Sequence, residues 1–116
     1  SLSEAVVVVK VDGEKKLSAS ESMDEIGSDR GPVNALSKAL TKDLGSYQKL
    51  INDIKLVDFK VRITQGGTEA VTRVVIDSED KNGFRWSTVG VSPNIVDASF
   101  EALLDAINWK IVRDTN

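Results

Sequence analysis

The first apolar run, Ala5-Val6-Val7-Val8-Val9-Lys10-Val11, is built from β-branched side chains that favour extended backbone, and it predicts a strand. Asp12-Gly13 follows, a pair that accepts the positive φ of a two-residue hairpin turn. The return strand, about Glu14 to Ser20, is more polar, and its lysines suit a sheet edge where they discourage further pairing. Glu21 to Gly31 has two glycines, four acids and no apolar period, the pattern of a mobile loop. Pro32 then fits a first helical position, where its missing N–H costs nothing. Val33, Leu36, Leu40 and Leu44 recur at helical spacing with Lys38 and Lys42 outward, and Gly45 is the expected stop.

Beyond a short connector, Val57, Phe59, Val61 and Ile63 alternate with Asp58, Lys60, Arg62 and Thr64, which predicts a half-buried strand. Gln65-Gly66-Gly67-Thr68 makes a turn, Ala70 to Asp77 a further strand, Ser78 to Gly83 a looser turn, and Phe84 to Val91 a third strand. Ser92, as N-cap, and Pro93 open the longest helix, whose stripe is Val96, Phe100, Leu103, Ile107 and Ile111, widened by Ala98, Ala102 and Ala106. The order is β-β-α-β-β-β-α, an α+β chain with two helices packed on antiparallel sheet. Gly31-Pro32 and Ser92-Pro93 each place a small residue and a proline between strands and an Ala/Leu-rich helix. Two readings stand: a common helix opening used twice, or a duplicated strands-then-helix unit.

Composition narrows the chemistry more than the fold. At 116 residues the chain is one domain's worth, and 41% hydrophobic with 28% charged residues describes a soluble globule. Histidine and cysteine are both absent, which removes the histidine general base, the cysteine nucleophile and the usual zinc sites. A net charge of −3 does not suit a reader of phosphate backbones, so no nucleic-acid partner is expected. No apolar run approaches a membrane span of roughly 18–20 residues, and Ser1-Leu2-Ser3-Glu4 lacks a signal peptide's basic start. A cytoplasmic location is expected, and a start without Met close to a strand suggests a piece of a longer protein.

The candidate chemical groups are few. Asp77, Glu79 and Asp80 cluster in a hairpin turn, where a solvated acidic tip is the expected state. Asp24, Glu25 and Asp29 do not follow the EF-hand spacing. Gly66-Gly67 is too short to cradle a phosphate, and Lys55, Lys60 and Arg62 with Trp86 are too few for a single-strand nucleic-acid face. Binding is the better option. Two proline-led helix starts offer N–H groups and the positive end of a helix dipole to a carboxylate. Leu56, Phe59, Ile63 and Val74 provide an apolar wall or simply core, which spacing alone leaves open.

Three blocks then carry a resemblance: Leu56-Val57-Asp58-Phe59-Lys60-Val61-Arg62-Ile63 with Gly67 to Val74, Trp86-Ser87-Thr88-Val89-Gly90-Val91-Ser92-Pro93-Asn94-Ile95, and Gly31-Pro32-Val33-Asn34-Ala35-Leu36. Together, over about Glu4 to Arg113, the chain resembles the C-terminal regulatory domain of the 2-isopropylmalate synthase family, and its Thr-Val-Gly-Val-Ser block resembles the (R)-citramalate synthase branch. The resemblance implies a parent enzyme that condenses acetyl-CoA with a 2-oxo acid on an N-terminal, divalent-metal-dependent TIM barrel. That barrel is not in this sequence, so residues 1–116 are expected to be a single regulatory domain without catalytic residues, metal or cofactor of its own. The resemblance further implies a homodimer that binds isoleucine or leucine near its dimer interface as feedback inhibitor and acts on the catalytic barrel. Carried over by position, the effector site comprises Val33, Asn34, Leu56, Phe59, Ile63, Val74, Pro93, Asn94 and Ile95. Phe59 stands where many relatives have tyrosine, and Asn34 where many have an acid. The alternative is a structural dimerisation module that no longer binds effector.

Overall fold

Asp12 and Gly13 take φ of 50° and 84°, so the first turn closes in the left-handed geometry a two-residue hairpin needs. It joins β1 (Leu2–Val11) to β2 (Glu14–Met23), an antiparallel pair running from Val11↔Glu14 to Leu2↔Met23. Both strands outlast the sequence reading, which placed Glu21–Met23 in a loop. The computed structural model of the chain describes residues 2–23, 30–42, 44–66 and 69–115. The acidic segment with Asp24, Glu25 and Asp29 lies outside the described residues, as does the Gly67-Thr68 turn.

Helix α1 (Arg30–Leu40) packs on β1 and β2. It begins two residues before Pro32, which is tolerated because no N–H of a first turn has an intrahelical acceptor. Ala35, Leu36, Ala39 and Leu40 are buried and Lys38 is exposed, as the helical spacing predicts. The stop comes at Leu40 rather than Gly45. Gly45 instead opens a 3₁₀ turn (Gly45–Tyr47) that runs into the one-turn helix α2 (Gln48–Ile51). The Gln48 amide fastens this connector, donating to Thr41 O at 2.6 Å and accepting from Leu44 N at 2.9 Å. The Tyr47 hydroxyl donates to Asp12 Oδ1 at 2.8 Å, and that bond raises the phenol above its usual 10.0.

The second group of strands is a separate sheet in the order β3-β4-β5: β3 (Lys55–Gly66), β4 (Glu69–Glu79) and β5 (Arg85–Ser92), all antiparallel. Helix α3 (Ile95–Thr115) covers β4 and β5. The chain thus divides into two compact units, Ser1–Asn52 and Asp53–Asn116, each with its strands first and its own helix after them. The α+β class holds, and the element order holds apart from the 3₁₀ turn and the one-turn α2, with one helix on each of two sheets rather than two on one.

How α3 sits on its sheet follows from small residues. Gly90 has no side chain, and a Cβ there would lie against Ala98 O and 3.1 Å from Ala102 N. Two residues towards the start of β5, Thr88 Oγ1 donates to Ala102 O at 2.7 Å, and two further on Trp86 Nε1 donates to Ala106 O at 3.1 Å. Steps of two along a strand (about 6.8 Å) and four along a helix (about 6.0 Å) nearly match, so strand and helix stay in register as they run antiparallel. The buried face of α3 is therefore Ala98, Ser99, Ala102, Leu103, Ala106, Ile107 and Lys110. The expected large-residue stripe is only half right: Val96 is exposed, and Phe100 and Ile111 are half-buried. The helix has rotated to put its alanines down, because the close approach at Gly90 admits nothing larger.

Candidate functional site

The opening of α3 is the first part of the site. Its N-cap is Asn94, not Ser92: the Asn94 Oδ1 accepts from Val96 N at 2.7 Å and Asp97 N at 3.4 Å, while Asn94 O accepts from Ala98 N. Ser92 Oγ accepts from Asn94 N at 3.2 Å and supports the cap from one step back. Pro93 and Ile95 flank it, both exposed. Two first-turn donors are thus already engaged by Asn94, so a ligand carboxylate arriving here must share or displace that amide. This narrows the open anion site that the proline-led start suggested.

The second part is an uncovered strip of β3. Pairing sets Phe59 opposite Ile76, Val61 opposite Val74 and Ile63 opposite Thr72, and directly paired residues point to the same side. Val74, Ile76 and Thr72 are buried under α3, so the strip lies on the helix-bearing face. Leu56 joins it through an irregularity the alternation did not predict: Leu56 pairs Ser78 and Asp58 pairs Asp77, leaving Val57 as the extra residue of a bulge. Helix α3 covers β4 and β5 and stops short of β3. Val61 is 39% and Ile63 64% exposed, whereas Leu56 and Phe59 are half-buried.

The flank of α3 turned towards β3 is apolar as well. At about 100° per residue, Val96, Phe100, Leu104 and Ile111 share that flank, while Trp109 lies on the other, stacked on Trp86 of β5 at 4.9 Å. A shallow apolar trough results, floored by Phe59, Val61 and Ile63 and walled by Phe100 and Val96. Ile63, Thr72 and Ser92 form one rung of the sheet, so Ile63 lies at the end where Pro93, Asn94 and Ile95 open the helix, about 10 Å across two strand spacings.

The structure thus groups Ile63, Pro93, Asn94 and Ile95 at one end of the second unit and places Phe59 and then Leu56 further along the trough. Val74, with no exposed surface, is packed interior beneath it. Val33 and Asn34 belong to the first unit, in the opening turns of α1. Ser99, one turn into α3 on its sheet side, carries a buried hydroxyl without a hydrogen-bond partner among the described residues.

At the far end of the second unit lies an ion cluster the sequence did not disclose. Asp80, expected at a solvated tip, has a side chain 1% exposed, and Lys110, on the buried face of α3, 4%. Lys110 Nζ lies 3.1 Å from Asp80, 2.7 Å from Asp114 and 3.8 Å from Asp53. Asp80 also accepts from the N–H groups of Asn82 and Phe84 and from Arg113, whose guanidinium sits 3.8 Å over the Phe84 ring. The only sequence signal was a lysine in phase with Leu103, Ile107 and the alanines. No group of three or more acids, histidines or cysteines that could hold a metal ion occurs among the described residues, and the cation these carboxylates share is an ammonium.

Burial pushes the Asp80 carboxyl up, yet the Lys110 ammonium and the N–H groups of Phe84 and Asn82 outweigh it and hold its pKa below the ordinary 3.8. Burial likewise pulls Lys110 down, but the Asp114, Asp80 and Asp53 carboxylates hold it above 10.5. Asp80 therefore adds stability that is present above 3.8 and lost as pH falls through its lower folded value. Lys110 adds stability that is present below 10.5 and lost as pH rises through its higher folded value. As far as this cluster is concerned, the melting temperature is expected to hold level between those limits and to fall outside both. A series of melts against pH checks this, and a midpoint that drops between pH 6 and pH 8 counts against it.

The fold is that of one family. The LeuA allosteric (dimerisation) domain matches residues 1–111, and the chain belongs to that family. Among individual relatives, it is 46% identical over 112 residues to the (R)-citramalate synthase of Geobacter sulfurreducens, covering 95% of this chain and 20% of the relative. It is 40% identical over 114 residues to the (R)-citramalate synthase of Aquifex aeolicus, covering 97% and 20%. With a probable 2-isopropylmalate synthase of Archaeoglobus fulgidus it shares 29% identity over 105 residues, covering 90% and 18%. The chain spans about a fifth of the length of these relatives. No helix among the described residues is long and apolar enough to cross a membrane.

Proposed function

We propose that the chain is the feedback-regulatory, homodimerising part of a cytoplasmic acetyl-CoA-dependent synthase of the (R)-citramalate or 2-isopropylmalate type, and that its second unit receives isoleucine or leucine. The observation that carries this reading is the uncovered strip Phe59-Val61-Ile63 ending beside the Asn94-capped helix start, in a member of a family described as allosteric. The aliphatic side chain of the effector lies along the strip, where burying four carbons contributes roughly 2–3 kcal/mol. Its carboxylate takes the Ile95 N–H and the Asn94 amide, at the positive end of the α3 dipole. Acyl transfer, with the metal and acetyl-CoA it uses, belongs to the parent's catalytic domain rather than to this chain.

Calorimetric titration with isoleucine, leucine and valine tests the reading, with heat expected for isoleucine or leucine. In the same assay Phe59→Ala raises the effector Kd at least about tenfold while the chain stays folded, since a half-buried phenylalanine costs less than the ~3–5 kcal/mol of a fully enclosed one. Unaltered affinity in a folded Phe59→Ala chain assigns Phe59 to the core and removes the strip from the site. The second reading, a dimerisation module without effector, is favoured by the engagement of Val96 and Asp97 by Asn94; a dimer silent to all three amino acids establishes it.

A further inference from the structure

The sheet of the second unit has another face, turned away from α3, and its charges are segregated. Its rungs read Asp58–Asp77–Ser87, then Lys60–Val75–Val89, then Arg62–Arg73–Val91. Two like-charge pairs thus sit directly opposite each other on neighbouring strands, an acidic one and a basic one, equally spaced about Val75. Like charges in that position are destabilising. Lys60 lies 3.5 Å from Asp58, and Ser87 donates to Asp77, but neither Arg62 nor Arg73 has an ion-pair partner among the described residues. Val75 and Val89 between them are half-buried, and Val91 is 49% exposed.

We infer that this face packs against the same face of a second copy of the chain, about a two-fold axis that crosses the strands at Val75. This rests on the homodimer reading above and names the surface that serves it. Rotation about that axis reverses the order of the rungs, so Asp77 of one copy meets Arg73 of the other and Asp58 meets Arg62. Lys60, Val75 and Val89 meet their own images along the axis, and Lys60, on an edge strand, leans to Asp58 of its own copy. Every like-charge pair then faces its opposite across a sandwich of about 10 Å, which arginine and aspartate side chains together span. The face is self-complementary, as a two-fold interface requires.

Sedimentation equilibrium without added amino acid tests this. The wild-type chain is expected to dimerise with a Kd that rises with ionic strength. Arg73→Asp and Asp77→Arg, each alone, weaken the dimer at least about tenfold, because each sets like charges across the interface. The double variant, Arg73→Asp with Asp77→Arg, exchanges the signs and returns the Kd to within about threefold of wild type. Circular dichroism of each variant confirms the fold. A dimer unaffected by either reversal, a double variant no tighter than the singles, or a Kd independent of salt overturns this face while leaving the homodimer standing. A chain that stays monomeric overturns both, and neither result bears on the effector titration.

Discussion

Gly90→Ala lowers the melting temperature by about 10 °C or more, followed by circular dichroism. The added Cβ would meet three backbone atoms of α3, Ala98 O, Ala98 C and Ala102 N, and none can swing aside as a side-chain tip could. The helix must lift from β5, which loosens the Thr88 and Trp86 bonds to Ala102 O and Ala106 O. Overpacking of this kind costs about 1–3 kcal/mol and sometimes more, at roughly 4–8 °C for each in a domain of this size. Because Ala98 lies one turn after Asn94, the helix opening moves with it, and effector affinity is expected to fall in parallel. A midpoint within about 2 °C of wild type would show that the helix has slack the structure does not contain.

Lys110→Met has an effect of similar size by a different route. Asp53, Asp80 and Asp114 lose the ammonium they share, and among the described cations Arg113 alone stays on Asp80. Removing one partner of a buried ionic group leaves uncompensated charge behind, more costly than never having built the group. The melting temperature at neutral pH is expected to drop by more than about 10 °C. The acid limb of the pH–stability curve should also shift upward in pH, because Asp80 keeps only Arg113 and the Asn82 and Phe84 N–H groups of those that hold it down. Combining Lys110→Met with Asp80→Asn should recover part of the loss. A single variant as stable as wild type at neutral pH would reduce the cluster to ornament.

The sequence was most legible where one residue type has one physical use. Asp12-Gly13 could hardly be other than a hairpin turn, and the alternation of β3 beyond its bulge, from Phe59 to Ile63, shows which side chains share a face. It was less legible where small residues decide. Periodicity weighted Val96, Phe100 and Ile111 because they are large, whereas contact with Gly90 selected Ala98, Ala102 and Ala106 because they are not. Ser92 and Asn94 are both good caps on either side of Pro93, and only the geometry shows that the Asn94 side chain reaches Val96 and Asp97. Lys110 gave no signal beyond its helical phase, because its partners Asp53 and Asp80 are distant in sequence. Of the candidate site, Phe59, Ile63 and the proline-led start were named from the sequence; Val61 was not, and Val74 is interior. That α3 would cover β4 and β5 but leave Val61 and Ile63 open was not visible in advance, since burial of a third strand depends on where the helix axis falls.

The trough beside α3 is best interrogated by methyl and amide NMR of the whole chain during addition of isoleucine or leucine. A receptor there predicts saturable shifts at the Ile63, Val61 and Ile95 methyls and at the Asn94 side-chain amide, with Val112 and the Lys110 end of α3 quiet. Spectra that do not move at saturating amino acid, or that move only away from β3 and the start of α3, contradict it.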